Sequence, residues 1–285
     1  MMKNLTRPID RSQKIEIKGL RFQAAQFTFR GSNKALFENL NLKLPVGKNV
    51  WITGAAGAGQ STFLKLISLV APLSNGSFFI NQEDTSQMTF EEFLPYRLKI
   101  GYTFDFGGLF SNRTLLENLV LPLVYHKICD QEQAEVRVRE LANRFRFMGQ
   151  LSSRPATVSG GMRKLVCILR ATLLEPEMLV MDDPFTALDL ASAKNLLDLV
   201  SESRDRGTLK HVFLTSREEN WIEKLDPELL VIEHGFVSHY NNQIFGRSSS
   251  EAASQLASEA ASQLANEAAS QLAGLTQKKR TGDAA

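Results

Sequence analysis

Residues 54–62 read GAAGAGQST. Ahead of them, "KNVWIT" (48–53) is a short apolar run, and behind them "STFLKLISLV" (61–70) spaces Phe63, Leu64, Ile67 and Val70 as on one face of a helix. A strand that runs into a glycine loop and then a helix is the setting of a phosphate-binding loop. Gly54, Gly57 and Gly59 let successive backbone amides turn inward as an anion nest, with Ala55, Ala56 and Ala58 between them. The helix beginning at Gln60, Ser61 and Thr62 adds its positive N-terminal end. Such loops carry a lysine where this one has Gln60. A glutamine amide still donates a hydrogen bond but carries no charge, and charge-assisted bonds are roughly twice as strong as neutral ones. The same nine residues also read as a plain glycine turn without a ligand, so the rest of the chain has to decide.

The 285 residues are 43% hydrophobic and 22% charged, enough for one large α/β domain or two small ones. A net charge of +2 gives no case for a nucleic-acid partner. Cys129 and Cys167 stand far apart, outside any metal-ligand spacing, and read as buried thiols in a reducing compartment. The first twenty residues lack the apolar centre of a secretory signal, and no run reaches the length of a membrane span. The expectation is a cytoplasmic protein that can dock on a membrane protein.

Three textures divide the chain. Residues 1–14 are polar. Residues 15–245 alternate strand-like and helix-like patterns: "EMLVMDDP" (177–184), "HVFLTS" (211–216) and "ELLVIEHGFVSHY" (228–240) read as strands, and "SAKNLLDLVSESRDRG" (192–207) as a helix stopped near Gly207. That alternation predicts a mainly parallel sheet with ligands at the carboxyl ends of its strands. Residues 246–285 hold an octad repeat beginning at Glu251, Glu259 and Glu267. Its composition favours helix, and Ser248 with Glu251 fits a capping box. Yet at about 100° per residue the repeat turns Leu256, Leu264 and Leu272 by about 80° each time, so they make no straight seam. The tail reads as a solvated helix rather than part of the core. The closing "QKKR" (277–280) solvates a terminus.

Two further stretches decide the family. "VSGGMRKL" (158–165) resembles the LSGGQ signature of ABC-transporter ATPases, and "LVMDDPFTALD" (179–189) resembles their Walker B and D-loop string, LLLDEPxxALD. The order of phosphate loop, signature and Walker B is that of an ABC ATPase. The resemblance implies an α/β P-loop NTPase core with a mainly parallel sheet, an antiparallel β subdomain and a helical subdomain inserted at about 106–170. It implies ATP and Mg²⁺ as ligands. It also implies a transmembrane permease and a second ATPase subunit, the same chain or another, as partners on the cytoplasmic face of a membrane. "SGGM", "GLFSNRTLLENLVLPL" (108–123) and "DDPF" resemble more narrowly the Mla-type ATPases, which move phospholipid together with a permease and an MCE-type lipid-binding protein.

Carried over position by position, the resemblance makes Phe29 in "FTFRG" the ring that stacks on adenine. It gives Ser61 and Asp182 to Mg²⁺, with Asp105 in "YTFDFGGLF" at the position of the Q-loop glutamine, a further metal neighbour. Asp183 replaces the glutamate that polarises the attacking water. It is one methylene shorter, and a misplacement of ~1 Å can cost about a hundredfold in rate. Ser216 replaces the switch histidine. The lysine, the Q-loop glutamine, the glutamate and the histidine are thus all altered. Ser159, Gly160, Gly161 and Met162 of the signature and Asp189 of the D-loop keep the half of the site that, in ABC dimers, serves the other subunit. Three readings stay open: an impaired subunit beside an active partner, a slow homodimeric ATPase, and a non-hydrolysing scaffold.

Overall fold

Short, largely apolar strands build the middle layer. In the computed structural model, which describes residues 15–105 and 108–240, six strands form one sheet. They are β3 (Asn49–Gly54), β6 (Ile100–Thr103), β7 (Met178–Asp182), β8 (His211–Thr215), β9 (Glu228–Glu233) and β10 (Phe236–Tyr240), in the order β10-β9-β3-β8-β7-β6. All neighbours pair in parallel except β10, which returns antiparallel along β9. Every residue of β7 and β8 is buried, as expected for central strands covered on both faces.

Successive side chains point to opposite faces. Val50, Ile52, Val180, Phe213 and Leu230 enter one core, and Trp51, Leu179, Met181, Leu214 and Leu229 enter the other. The first core is closed by α1 (Gln60–Ile67) and by a four-stranded antiparallel sheet of β1 (Leu20–Thr28), β2 (Ala35–Leu44), β4 (Asn75–Ile80) and β5 (Glu83–Asp84). Phe63 of α1 meets Phe22 of β1 at 5.6 Å and Phe37 of β2 at 5.9 Å between ring centroids. Burying a Phe of this kind contributes ~1.5–3 kcal/mol, so Phe63 pins α1 to the antiparallel sheet. The helix ends at Ile67, and Val70 lies outside it with 37% of its surface exposed, so the apolar face is one turn shorter than the spacing predicted.

The second core is covered by α3 (Leu115–Tyr125), α4 (Gln131–Arg144), α5 (Gly160–Thr172) and α6 (Leu190–Asp205), while α2 (Phe90–Arg97) leads into β6 and α7 (Glu219–Ile222) follows β8. Capping boxes open α2 at Thr89 with Glu92 and α3 at Thr114 with Glu117. The Arg144 guanidinium of α4 makes a two-pronged ion pair with Glu202 of α6, at 2.7 and 2.8 Å. Cys167 is buried as expected, whereas Cys129 is only half-buried. The octad tail and the polar N-terminal stretch lie outside the described residues.

His211 opens β8 and is nearly fully buried. Its Nδ1 accepts the Gly47 N–H at 2.7 Å, so the proton sits on Nε2, which donates to the Ile17 carbonyl at 2.9 Å. Burial pushes this imidazole below its ordinary value of 6.5, against the pull of the Ile17 carbonyl and Glu177. The unfolded chain therefore binds the proton more readily, and stability present above pH ~6.5 is lost as pH falls below it. A His211→Gln variant should be less stable than the parent at pH 7.5, and the gap in melting temperature should narrow between pH 7.5 and 5. A gap that is constant with pH contradicts the buried neutral imidazole.

Candidate functional site

The carboxyl ends of three parallel strands converge on one carboxylate. Asp182 ends β7, and its Oδ1 accepts the Thr215 hydroxyl of β8 at 2.8 Å and the Ser61 hydroxyl of α1 at 3.0 Å. Thr215 is its register partner across the sheet. Burial raises the Asp182 carboxyl above its ordinary value, the two hydroxyls oppose that rise, and the nearby Asp105 charge adds to it. Beside it Asp183 takes a left-handed backbone (φ 47°), with its N–H on the Thr215 carbonyl at 3.1 Å and hydroxyl at 3.0 Å. Its carboxylate receives the Ser216 hydroxyl at a long 3.4 Å.

The glycine loop sits over this point. Gly54 ends β3 with φ 152°, and a Cβ there would collide with the Ile232 carbonyl oxygen of β9. Gly59 is the N-cap of α1 and offers it no side-chain acceptor, so the N–H groups of the first turn are left for an outside anion. Gln60 does not extend outward. Its amide nitrogen donates to the Gly54 carbonyl at 2.8 Å and the Ala55 carbonyl at 3.0 Å, stapling the loop to the first turn of its helix.

Gly54, Ala56, Gly57, Gly59, Gln60, Ser61 and Thr62 share a cavity of about 650 Å³ with Asp105, Asp182, Asp183 and Ser216. Ala55 and Ala58 line an adjoining cavity of about 490 Å³. Phe29 lines both, 51% exposed, held edge-on by Phe27 at 5.1 Å so that a ring face is available to a base. The nest, the open helix end and the exposed ring fit a nucleotide. For a metal, no group of three His, Cys, Asp or Glu side chains converges among the described residues. The Ser61 and Asp182 pair fits a Mg²⁺ whose other positions are filled by phosphate oxygens and water.

Sequence reasoning missed Lys164. It lies on α5, nearly fully buried, and its ammonium donates to Asp105 Oδ1 at 2.9 Å and to the Asp183 carbonyl at 2.8 Å. Asp105 is therefore already engaged by a cation within the chain. The available signal was helical spacing: Lys164 precedes the buried Ile168 by four residues, on the inward face. Thr215 was missed as well, since a threonine at a strand end carries no motif.

The signature is built elsewhere. Ser159 caps α5, its Oγ accepting the Met162 N–H at 3.1 Å. Ser159 and Gly160 are exposed. A Cβ on Gly161 would strike the Ala187 carbonyl oxygen, so glycine is what lets the signature pack on the D-loop. Asp189 caps α6, accepting the Ser192 N–H and hydroxyl, each at 2.8 Å, and the backbone bond first of all lowers its carboxyl. None of these residues lines the cavities around the phosphate loop.

The sequence model of the ABC transporter family matches residues 37–186, more than half of the chain. The chain belongs to the ABC transporter family. The methionine import ATP-binding protein MetN of Histophilus somni is 31% identical over 210 residues, covering 73% of this chain and 60% of that protein. MetN of Mannheimia succiniciproducens is 28% identical over 232 residues, covering 80% and 66%. The chain thus spans about three fifths to two thirds of the length of these relatives. By name they are methionine importers, not Mla-type phospholipid ATPases. Among solved structures, an ATP-binding subunit of an ABC transporter superposes with a TM-score of 0.70 at 25% identity, covering 84% of this chain and 99% of that one. A dimeric ATP-binding cassette bound to ADP and phosphate gives 0.70 at 24% identity, covering 79% and 100%. Among the described residues no helix is long and apolar enough to cross a membrane.

Asp182 offers a direct test. Its raised carboxyl means that the native state binds the proton more readily than the unfolded chain. The associated stability is present below the ordinary value of 3.8 and is lost as pH rises through the higher native value. Asp182→Asn should therefore melt higher than the parent at pH 7, and the difference should shrink as pH falls toward 3.8. A variant less stable at pH 7 contradicts a carboxylate whose burial outweighs its two hydroxyl partners.

Proposed function

We propose that the chain is a nucleotide-binding subunit of an ABC transporter whose own phosphate loop binds ATP but turns it over slowly or not at all. Its signature would complete the site of a partner ATPase. The observation that carries this reading is the Gln60 amide folded onto the Gly54 and Ala55 carbonyls while Ser159 and Gly160 stay exposed.

ATP bound with Mg²⁺ supplies the scissile γ-phosphoryl group. The loop amides and the first turn of α1 bind its phosphates, Ser61 and Asp182 orient the metal, and Phe29 packs on the base. Gln60 adds no positive charge where charge would build during transfer. Asp183, one methylene short, is drawn toward Ser216 rather than freely placed for a water. Ser216 has a hydroxyl where a histidine would hold the γ-phosphate. For an active partner these losses do not matter, because the serine and glycine amides of the signature can stabilise a γ-phosphate across an interface.

The cargo goes with the permease. The relatives' names favour methionine import. The variants "SGGM" and "DDPF" support a second reading, phospholipid transport of the Mla type with an MCE-type partner. Identifying the permease and any ATPase that copurify with the chain separates the two.

In the purified complex, Ser159→Arg should abolish ATPase activity, by clash and by loss of the hydroxyl. Asp183→Ala should change it less than about twofold. The reverse pattern shows a chain that hydrolyses ATP itself, as in a slow homodimer. No activity in any form of the complex shows a scaffold.

A further inference from the structure

We propose that Arg217 is the phosphate-binding cation of this site, supplying to a nucleoside triphosphate the charge that Gln60 does not carry. This rests on the nucleotide-binding reading above. Arg217 follows Ser216 directly after β8, and among the described residues it is the one cationic side chain lining the cavity of about 650 Å³ over the glycine loop. Three carboxylates, Asp105, Asp182 and Asp183, line the same cavity. A triphosphate adds several negative charges to that wall, so binding needs a cation from the chain as well as Mg²⁺. Lys164 is spent on Asp105 and the Asp183 carbonyl and does not line the cavity, and Lys34 lines the adjoining cavity of about 490 Å³ instead.

The backbone under Arg217 is held. The Ser216 hydroxyl oxygen accepts the Glu218 N–H at 3.0 Å, and the Ser216 carbonyl accepts the Trp51 indole N–H at 3.3 Å. The side chain is exposed and has no carboxylate partner among the described residues, so it is available to an incoming anion. A guanidinium presents a planar fork of donors that fits two phosphate oxygens at once and stays charged at any working pH. The loop after β8 thus takes over a role that Gln60 of α1 does not fill.

Titration of the purified full chain with Mg-ATP, Mg-ADP and adenosine tests this. Arg217→Ala should weaken ATP roughly tenfold or more, the usual scale for a hydrogen bond to a charged group, and leave adenosine unchanged. Arg217→Lys should retain part of the affinity, and Gln60→Lys added to Arg217→Ala should restore part of it. Since Arg217 is exposed, melting temperatures should stay level. ATP binding by Arg217→Ala equal to the parent overturns the inference but leaves the nucleotide reading standing. Equal weakening of ATP and adenosine also overturns it, by showing a structural role. No nucleotide binding by the parent overturns both.

Discussion

Asp182 is the constraint on which the site depends. It ends a wholly buried central strand, where a carboxylate is costly unless its oxygens are satisfied. Its Oδ1 takes the hydroxyls of Ser61 and Thr215 together, and those bonds tie α1 and β8 to β7. The glycine loop, Asp183 and the turn at Ser216 are held in one place because each is within a residue or two of this junction. The remaining demand of the carboxylate is for positive charge. A divalent ion bound with phosphate would meet it.

Charge in the site has been redistributed rather than simply removed. Gln60 replaces an ammonium by an amide, and the amide turns back on the loop carbonyls. Asp105 adds a carboxylate, and Lys164 on α5 answers it while also gripping the backbone at Asp183. That ion pair joins the signature helix to the Walker B turn from inside the chain. Ser159 and Asp189, the caps of α5 and α6, lie away from the cavity over the glycine loop.

Much of this was legible in residues alone. The strand-like runs at 48–53, 177–184 and 211–216, alternating with helical stretches, gave the parallel sheet, because parallel neighbours need crossover connections. The glycine loop and the paired aspartates pointed to the strands' carboxyl ends, where they line one cavity. What stayed hidden depends on side-chain direction and on contacts across long stretches of chain. Gln60 reads the same whether it points out to a ligand or back to Gly54. Lys164 and Asp105 are 59 positions apart, and their pairing is visible only once α5 lies against the end of β6. Val70 shows the opposite error, an apolar residue at helical spacing that a shortened helix left at the surface.

On the function proposed above, this chain's own loop holds ATP without efficient hydrolysis. The direct measurement is the fate of bound nucleotide. The purified chain is loaded with labelled ATP and Mg²⁺, freed of unbound nucleotide, incubated, quenched in acid and chromatographed. The retained label should still be ATP after many minutes. Conversion to ADP on the order of once per second, an ordinary enzymatic rate, would contradict it.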